Sequence, residues 1–388
     1  MMPAPTARGR GAPAAASLRT VAARAAFASL VGLALVAAIA GGLWRAGTHL
    51  LPDAAIVARS AGLHAALMLS VFFGSAISIE RAVALGRRWA YAAPLLAGAS
   101  GVLMLSATPG ASLLALAAAA VFVAVNVDLL RRERTAAAAI MLIAALCWLA
   151  GNAWAAAQPG HPAAIAWWFA FPILTVTAER LELTRFLPRR ALSGVLLWPI
   201  VAALVGAAAV SALDPRLGGV AFGGALMLLA LWLAVFDIAR RTVFARGLGR
   251  FMALALLAGY AWLGIGGLAW LGTALGCPGR DMALHALGLG FLFSMILGHA
   301  PVIVPALTRV KVLFGAWFYA PLALLHVSLA CRLFGAIVDP GWRTLGAELN
   351  AAALAVFIAT LAGSALASRR RDARQGAASA VLGRVPSG

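Results

Sequence analysis

Four of the six histidines, His64, His285, His299 and His326, fall inside long apolar segments, where they are the only ionisable side chains expected well below the surface. An imidazole in hydrocarbon is costly unless its polar atoms find partners, so these four are the first place to look for chemistry. The bland alternative, a histidine hydrogen-bonded across a helix interface, stands beside the metal-binding one for each. His64 and His285 enter from the same side to similar depth. Two neutral imidazoles on facing helices are the usual grip of a helical bundle on b-type haem. His326 reads as a third member of this cluster, and His299 lies deeper.

His285 and His299 are 14 residues apart, about 21 Å along a helix and nearly eclipsed around its axis. They cannot share one metal, yet they suit two sites stacked on one wall. Gly288 lies on the line joining them and is expected to wall the slot a macrocycle would need. Met68 follows His64 by four residues and Met295 precedes His299 by four, so a thioether shares each histidine's face. That combination suits copper as well as haem iron. The candidate ligands are therefore His64, His285, His299 and His326, with His64, His285 and Gly288 as the haem contacts; His49 and His161 read as solvated residues of outer loops.

The elements that must position these residues are apolar segments of membrane-spanning length. The chain is 63% hydrophobic and 11% charged, which excludes a soluble core. Segments long enough to span lie near 25–45, 59–79, 89–107, 110–130, 135–155, 163–179, 191–212, 218–238, 251–273, 282–305, 312–334 and 346–367. The fold class is an all-α polytopic membrane helix bundle of about 12 transmembrane helices, flanked by tails at 1–24 and 368–388 that read as disordered and cytoplasmic. Of the 31 basic residues, 25 fall in the first tail, the last tail and every second loop, and 6 in the loops between. This asymmetry places both termini in the cytoplasm. Trp44, Trp154, Trp167, Trp270 and Trp342 gather toward the proposed outer ends, as interfacial aromatic belts do. The net charge of +19 is carried by arginines beside apolar segments, so it points to anionic headgroups of the bilayer and excludes nucleic acid. Arg outnumbers Lys 30 to 1, a bias of GC-rich bacterial genomes, and the expected location is a bacterial inner membrane. The basic lead of segment one also resembles a signal peptide with cleavage near Gly41.

In segment 10, Ala286, Gly290, Ser294 and Gly298 recur every four residues as a small-residue stripe for close helix contact. No carboxylate is expected at mid-membrane depth, which tells against ion-coupled transport. Cys147, Cys277 and Cys331 form no CxxC or CxxCH pattern, so neither a thiolate metal site nor c-type haem attachment is indicated. Cys277 and Cys331 both fall near the outer side, where a disulfide is permitted.

At His64 through Gly74, and at the His285-Ala286-Leu287-x-x-Gly290 run leading to Gly298-His299, the sequence resembles the NnrS family of twelve-span bacterial membrane proteins. The resemblance implies haem and copper as cofactors, a role in handling nitric oxide or related redox stress, and an electron donor or respiratory-chain protein as partner. Where that family shows His-x-His-Glu, this chain has His64-Ala65-Ala66-Leu67, and the His-x-His pair of the related haem–copper oxidases is absent. Oxygen reduction is therefore not implied, and the carried-over ligands are His64, His285 and His299. Two other classes stay open: a small-solute transporter or exporter with helices broken at Pro172, Pro301 and Pro305, and an assembly factor of a respiratory complex.

The charge asymmetry makes a direct prediction. A cysteine introduced at His161 should be labelled from the outer side by a membrane-impermeant reagent, and one introduced at Arg131 should not; the reverse pattern would overturn the topology.

Overall fold

The computed structural model describes residues 18–50, 52, 54–183 and 191–382, and every regular element among them is helical. A helix satisfies its own backbone, which is what a hydrocarbon solvent demands of these apolar segments. In chain order the α-helices are α1 (Leu18–Ala46), α2 (Ala55–Gly62), α3 (Phe73–Leu85), α4 (Ala92–Leu105), α5 (Ala111–Glu133), α6 (Ala136–Ala157), α7 (Ala163–Leu183) and α8 (Ala191–Val210). They continue with α9 (Pro215–Phe236), α10 (Ala239–Thr242), α11 (Leu248–Ala274), α12 (Arg280–His285), α13 (Ser294–Thr308), α14 (Tyr319–Ala330), α15 (Ala336–Val338) and α16 (Gly341–Leu382). Three π-helical stretches are built into them: Ala66–Phe72 ahead of α3, Ala286–Phe293 between α12 and α13, and Cys331–Gly335 after α14.

Among the described residues ten helical stretches are long and apolar enough to cross a bilayer, so the chain is an all-α polytopic bundle. The other two expected segments hold shorter or more polar helices: α4 has 14 residues, and the last turns of α7 carry Glu179, Arg180 and Glu182. Two boundaries differ from expectation. The chain is already helical from Leu18, and α16 runs on through residues 368–382, where a disordered tail is expected. The Ala- and Arg-rich composition there is helix-favouring, and Asp372 receives an ion pair from Lys311 at 3.0 Å. Residues 1–17 and 383–388 of the two tails, and Arg185, Arg189 and Arg190 of one basic loop, lie outside the described residues. All three cysteines are free thiols, so Cys277 and Cys331 form no bridge.

Successive helices pack as neighbours, and α1 meets α16, so that the two ends of the chain close the bundle along one seam. The polypeptide around His64 is fixed from its inner side by a buried polar knot. Ser70 donates to Asn152 Oδ1 at 2.6 Å and accepts from Trp148 Nε1 at 3.1 Å, while Asn152 accepts from Trp168 Nε1 at 2.9 Å and donates to the Ala115 carbonyl at 3.0 Å. Every polar atom in this knot has a partner, which is the condition for burying it. Phe72 then stacks on Phe293 at 5.9 Å with the ring planes 4° apart, and Phe73 meets Phe293 edge-on at 5.8 Å. These rings tie the first π-helical stretch to the second.

The stripe of segment 10 is buried along its length and faces α11. A Cβ on Gly290 would stand 2.4 Å from Trp262 Cγ, and one on Gly298 would stand 2.9 Å from Ala255 Cβ, whereas a Cβ on Gly288 would meet open space. Gly290→Ala should therefore destabilise the bundle by about 1–3 kcal/mol through overpacking, and Gly288→Ala should leave it nearly unchanged. Thermal unfolding of the two variants in detergent checks this; equal melting temperatures would refute the packing argument.

Candidate functional site

His64 and His285 each stand where an α-helix passes into a π-helical stretch, with Leu-His-Ala as the local sequence in both cases. Phe72 and Phe293, the pair that stacks, each lie eight residues further on. Two similar helices running the same way and pinned at the same register must bring their histidines to one level. The ring centres lie 6.2 Å apart with the planes inclined by 25°.

The hydrogen bonds decide which nitrogen of each ring is available. A carbonyl can only accept, so the contact from His64 Nδ1 to the Ala38 carbonyl, 2.7 Å, puts the proton on Nδ1 and leaves a lone pair on Nε2. His285 is set the same way, its Nδ1–H donating to the Asp281 carbonyl at 2.9 Å and lying 3.1 Å from the Asp281 carboxylate. Neither Nε2 has a hydrogen-bond partner among the described residues. A second acceptor holding Nδ1 is the usual support for a ring that ligates a metal through Nε2.

The Ala38 carbonyl is open to His64 because Gly42 follows it by one helical turn. A Cβ at Gly42 would stand 2.9 Å from His64 Cε1 and 3.2 Å from Nδ1. Gly42, with Ile39 and Leu43 of α1, forms one wall of a cleft that also contains His64, Met68, His285, Leu289 and Arg332. Ala347, Asn350, Ala351 and Leu354 of α16 form the other wall, and the space between, counting its open mouth, is about 370 Å³. The cleft therefore lies on the seam where α1 meets α16. All three π-helical stretches contribute to it, through Met68, Leu289 and Arg332. Wide turns of this kind recur at functional sites because they re-aim side chains that a regular helix would place elsewhere.

Arg332 comes from the third stretch and is 5% exposed. Its Nε and Nη2 grip the Asp281 carboxylate at 3.1 and 2.9 Å, so one carboxylate serves both the guanidinium and the ring of His285. The close approach of α16 that sets this arrangement depends on Gly346, whose Cβ would lie 2.6 Å from Arg332 Cα.

Three expectations are corrected here. Gly288 does not line the cleft; Leu289 does. In a π-turn of about 4.4 residues the position three after a histidine rotates off its face, and the position four after stays on it. His326 does not border the cleft either. Its Nδ1 accepts from Trp262 Nε1 at 3.0 Å, which places the ring's own proton on Nε2 and leaves no lone pair for a metal. Its helix turns that face to α11, where a buried indole needs an acceptor. His299 stands apart from the cleft, its Nδ1–H donating to the Met295 carbonyl at 2.8 Å, with Arg180 of α7 as its charged neighbour. It does not continue the wall of His285, because the π-helical stretch between them shifts the helical phase. Arg180 is buried beside Asp237, with Nε to Oδ2 at 4.0 Å. Asp237, between α9 and α10, accepts from the Ala239 amide at 2.6 Å.

Gly42, Asp281 and Arg332 are the site residues that sequence reasoning misses. Two carried a signal: Asp281 sits four residues before His285, and Arg332 lies inside the eleventh apolar segment rather than in a loop. Gly42 carried none.

Among the described residues no group of three or more His, Cys, Asp or Glu side chains is arranged to hold a metal ion. A family model described as "Domain of unknown function (DUF8744)" matches residues 24–366. No curated protein and no solved structure matches the chain.

The geometry at Gly42 predicts that Gly42→Val displaces the His64 ring and closes the cleft while the bundle survives. The His64 imidazole resonances should shift and its Nδ1 proton should lose protection from solvent exchange; an unchanged ring would show that the glycine is incidental.

Proposed function

The chain belongs to the DUF8744 family, and we propose that it is an integral membrane protein that binds b-type haem between His64 and His285 and passes single electrons to or from a redox partner. The observation that supports this reading is the paired imidazoles. With metal–nitrogen bonds of about 2 Å and ring centres about 1 Å beyond the nitrogens, two axial histidines stand with their centres about 6 Å apart, and these stand 6.2 Å apart. A bare ion needs three or four protein ligands, whereas a macrocycle brings four of its own and asks only for an axial pair. The mostly apolar walls from α1 and α16 suit the flat faces of such a ring.

When bound, haem supplies one-electron chemistry. The chain's own residues do the rest. His64 and His285 would hold the iron, the Ala38 and Asp281 acceptors fix both rings, and the Asp281 carboxylate beside His285 would make that ring the more electron-donating of the two. A haem held by both histidines would be suited to passing electrons rather than to binding a gas directly. A part in nitric oxide or related redox stress, as in proteins of NnrS type, would then rest on electron supply in a bacterial inner membrane, with the cleft on the outer side and both termini in the cytoplasm.

A copper ion is the second occupant to consider, because Met68 lines the same cleft and offers a thioether beside two imidazoles. The transporter reading draws less support. Pro172 lies inside continuous α7, and Pro301 and Pro305 lie inside continuous α13, so these prolines do not divide their helices into half-helices.

The test is an absorption spectrum of protein purified from haem-supplied cells, oxidised and then reduced with dithionite. Wild type should show a Soret band and sharp reduced α and β bands. His64→Ala and His285→Ala should each lose them while remaining in the membrane at near wild-type amounts, and His299→Ala and His326→Ala should keep them. A featureless wild-type spectrum would sink the proposal.

A further inference from the structure

The charge around the cleft points to a second recognition element beyond the two imidazoles. Arg332 is more than nine-tenths buried and borders the cleft. Its Nε and Nη2 are spent on Asp281, but its Nη1 makes no hydrogen bond among the described residues. That nitrogen is not sealed off by the packing, so it is open to an acceptor, and a charge-assisted hydrogen bond at a guanidinium otherwise largely withdrawn from water is favourable. The cleft also carries more positive than negative charge. Arg332 and Arg45 both lie within electrostatic reach of the His64 ring, and Arg343 Nε lies 4.0 Å from Asp281. Against these three guanidinium groups stand two carboxylates, Asp281 and Glu348, and Glu348 is already engaged by Thr48. A field of this sign opposes a bare metal cation and favours a ligand that brings negative charge.

We infer that Arg332 Nη1 is an anion subsite of the cleft, and that the ligand held between His64 and His285 carries a carboxylate which this nitrogen receives. The inference rests on the haem reading and sharpens it: the cleft selects a carboxylated macrocycle over an uncharged macrocycle and over a free metal ion. Asp281 then has two roles. It holds Arg332 by two nitrogens and leaves the third without a protein partner, and it accepts from His285, so the carboxylate anchor and one histidine ring share a single support. Recognition of a carboxylate by a guanidinium is directional as well as electrostatic, which would set the rotation of the macrocycle between its axial ligands.

The experiment titrates purified, haem-free protein in detergent with haem, with its dimethyl ester, and with cuprous ion, following the Soret band for the first two and metal retention for the third. Haem should bind at least about tenfold more tightly than the ester, the loss expected for one charge-assisted hydrogen bond. In Arg332→Gln the ratio of haem to ester affinity should fall to about one, whatever loss the weakened support of His285 brings to both ligands alike. Equal binding of haem and ester by wild type would overturn the subsite and leave the haem reading standing. If neither binds, or cuprous ion is retained and displaces both, the haem reading falls and the subsite with it. A preference for haem that survives in Arg332→Gln would move the anchor to another arginine and overturn its assignment to Arg332. Should Arg332→Gln fail to fold, Arg332→Lys keeps the charge but not the guanidinium geometry, and the wild-type comparison of haem with ester still decides whether the cleft reads the carboxylate.

Discussion

An imidazole buried among apolar helices has to dispose of one proton, and the way it does so governs everything else it can do. His64 gives that proton to the Ala38 carbonyl and His285 gives it to Asp281. Each donation fixes the tautomer, orients the ring and leaves the remaining lone pair on Nε2 without a protein partner among the described residues. His326 shows the opposite outcome within the same fold. There the indole of Trp262 supplies the proton to Nδ1, so the ring becomes a hydrogen-bond bridge between α14 and α11 and loses its capacity as a ligand. Hydrogen-bond partner thus separates His326 from the other three, while His299, which donates to the Met295 carbonyl, is set apart by its position.

The π-helical stretches extend the same logic to the backbone. A wide turn gives up regular i to i−4 bonding and is tolerated where packing compensates. Here the compensation is visible for two of the three. Ser70 of the first stretch sits in the satisfied knot with Asn152, Trp148 and Trp168, and Phe293 of the second stacks against Phe72. The third, Cys331–Gly335, lies against α16 at Gly346 and delivers Arg332. The bundle thus supports three irregular turns at one cleft, and that cleft lies on the seam where the first and last helices meet. Its walls come from helices that are distant in sequence, while its paired histidines come from two segments whose local sequences are alike.

What the sequence by itself determines about this protein is one-dimensional. Apolar length, loop charge and the spacing of histidines along their segments specify an all-α bundle and give the depth of each histidine, because rise along a helix is nearly constant whatever the neighbours do. Depth was enough to pair His64 with His285 and to set His299 apart. Rotation about each helix axis and contact across the seam were settled by tertiary structure alone. The π-turns change the angular step between residues, which is why Leu289 stands where Gly288 is expected, and why His299 leaves the face of His285. Gly42, Asp281 and Arg332 enter the site through packing of α1, α12 and the stretch after α14 against one another, and no periodicity within a single segment encodes which carbonyl or carboxylate a distant side chain will meet.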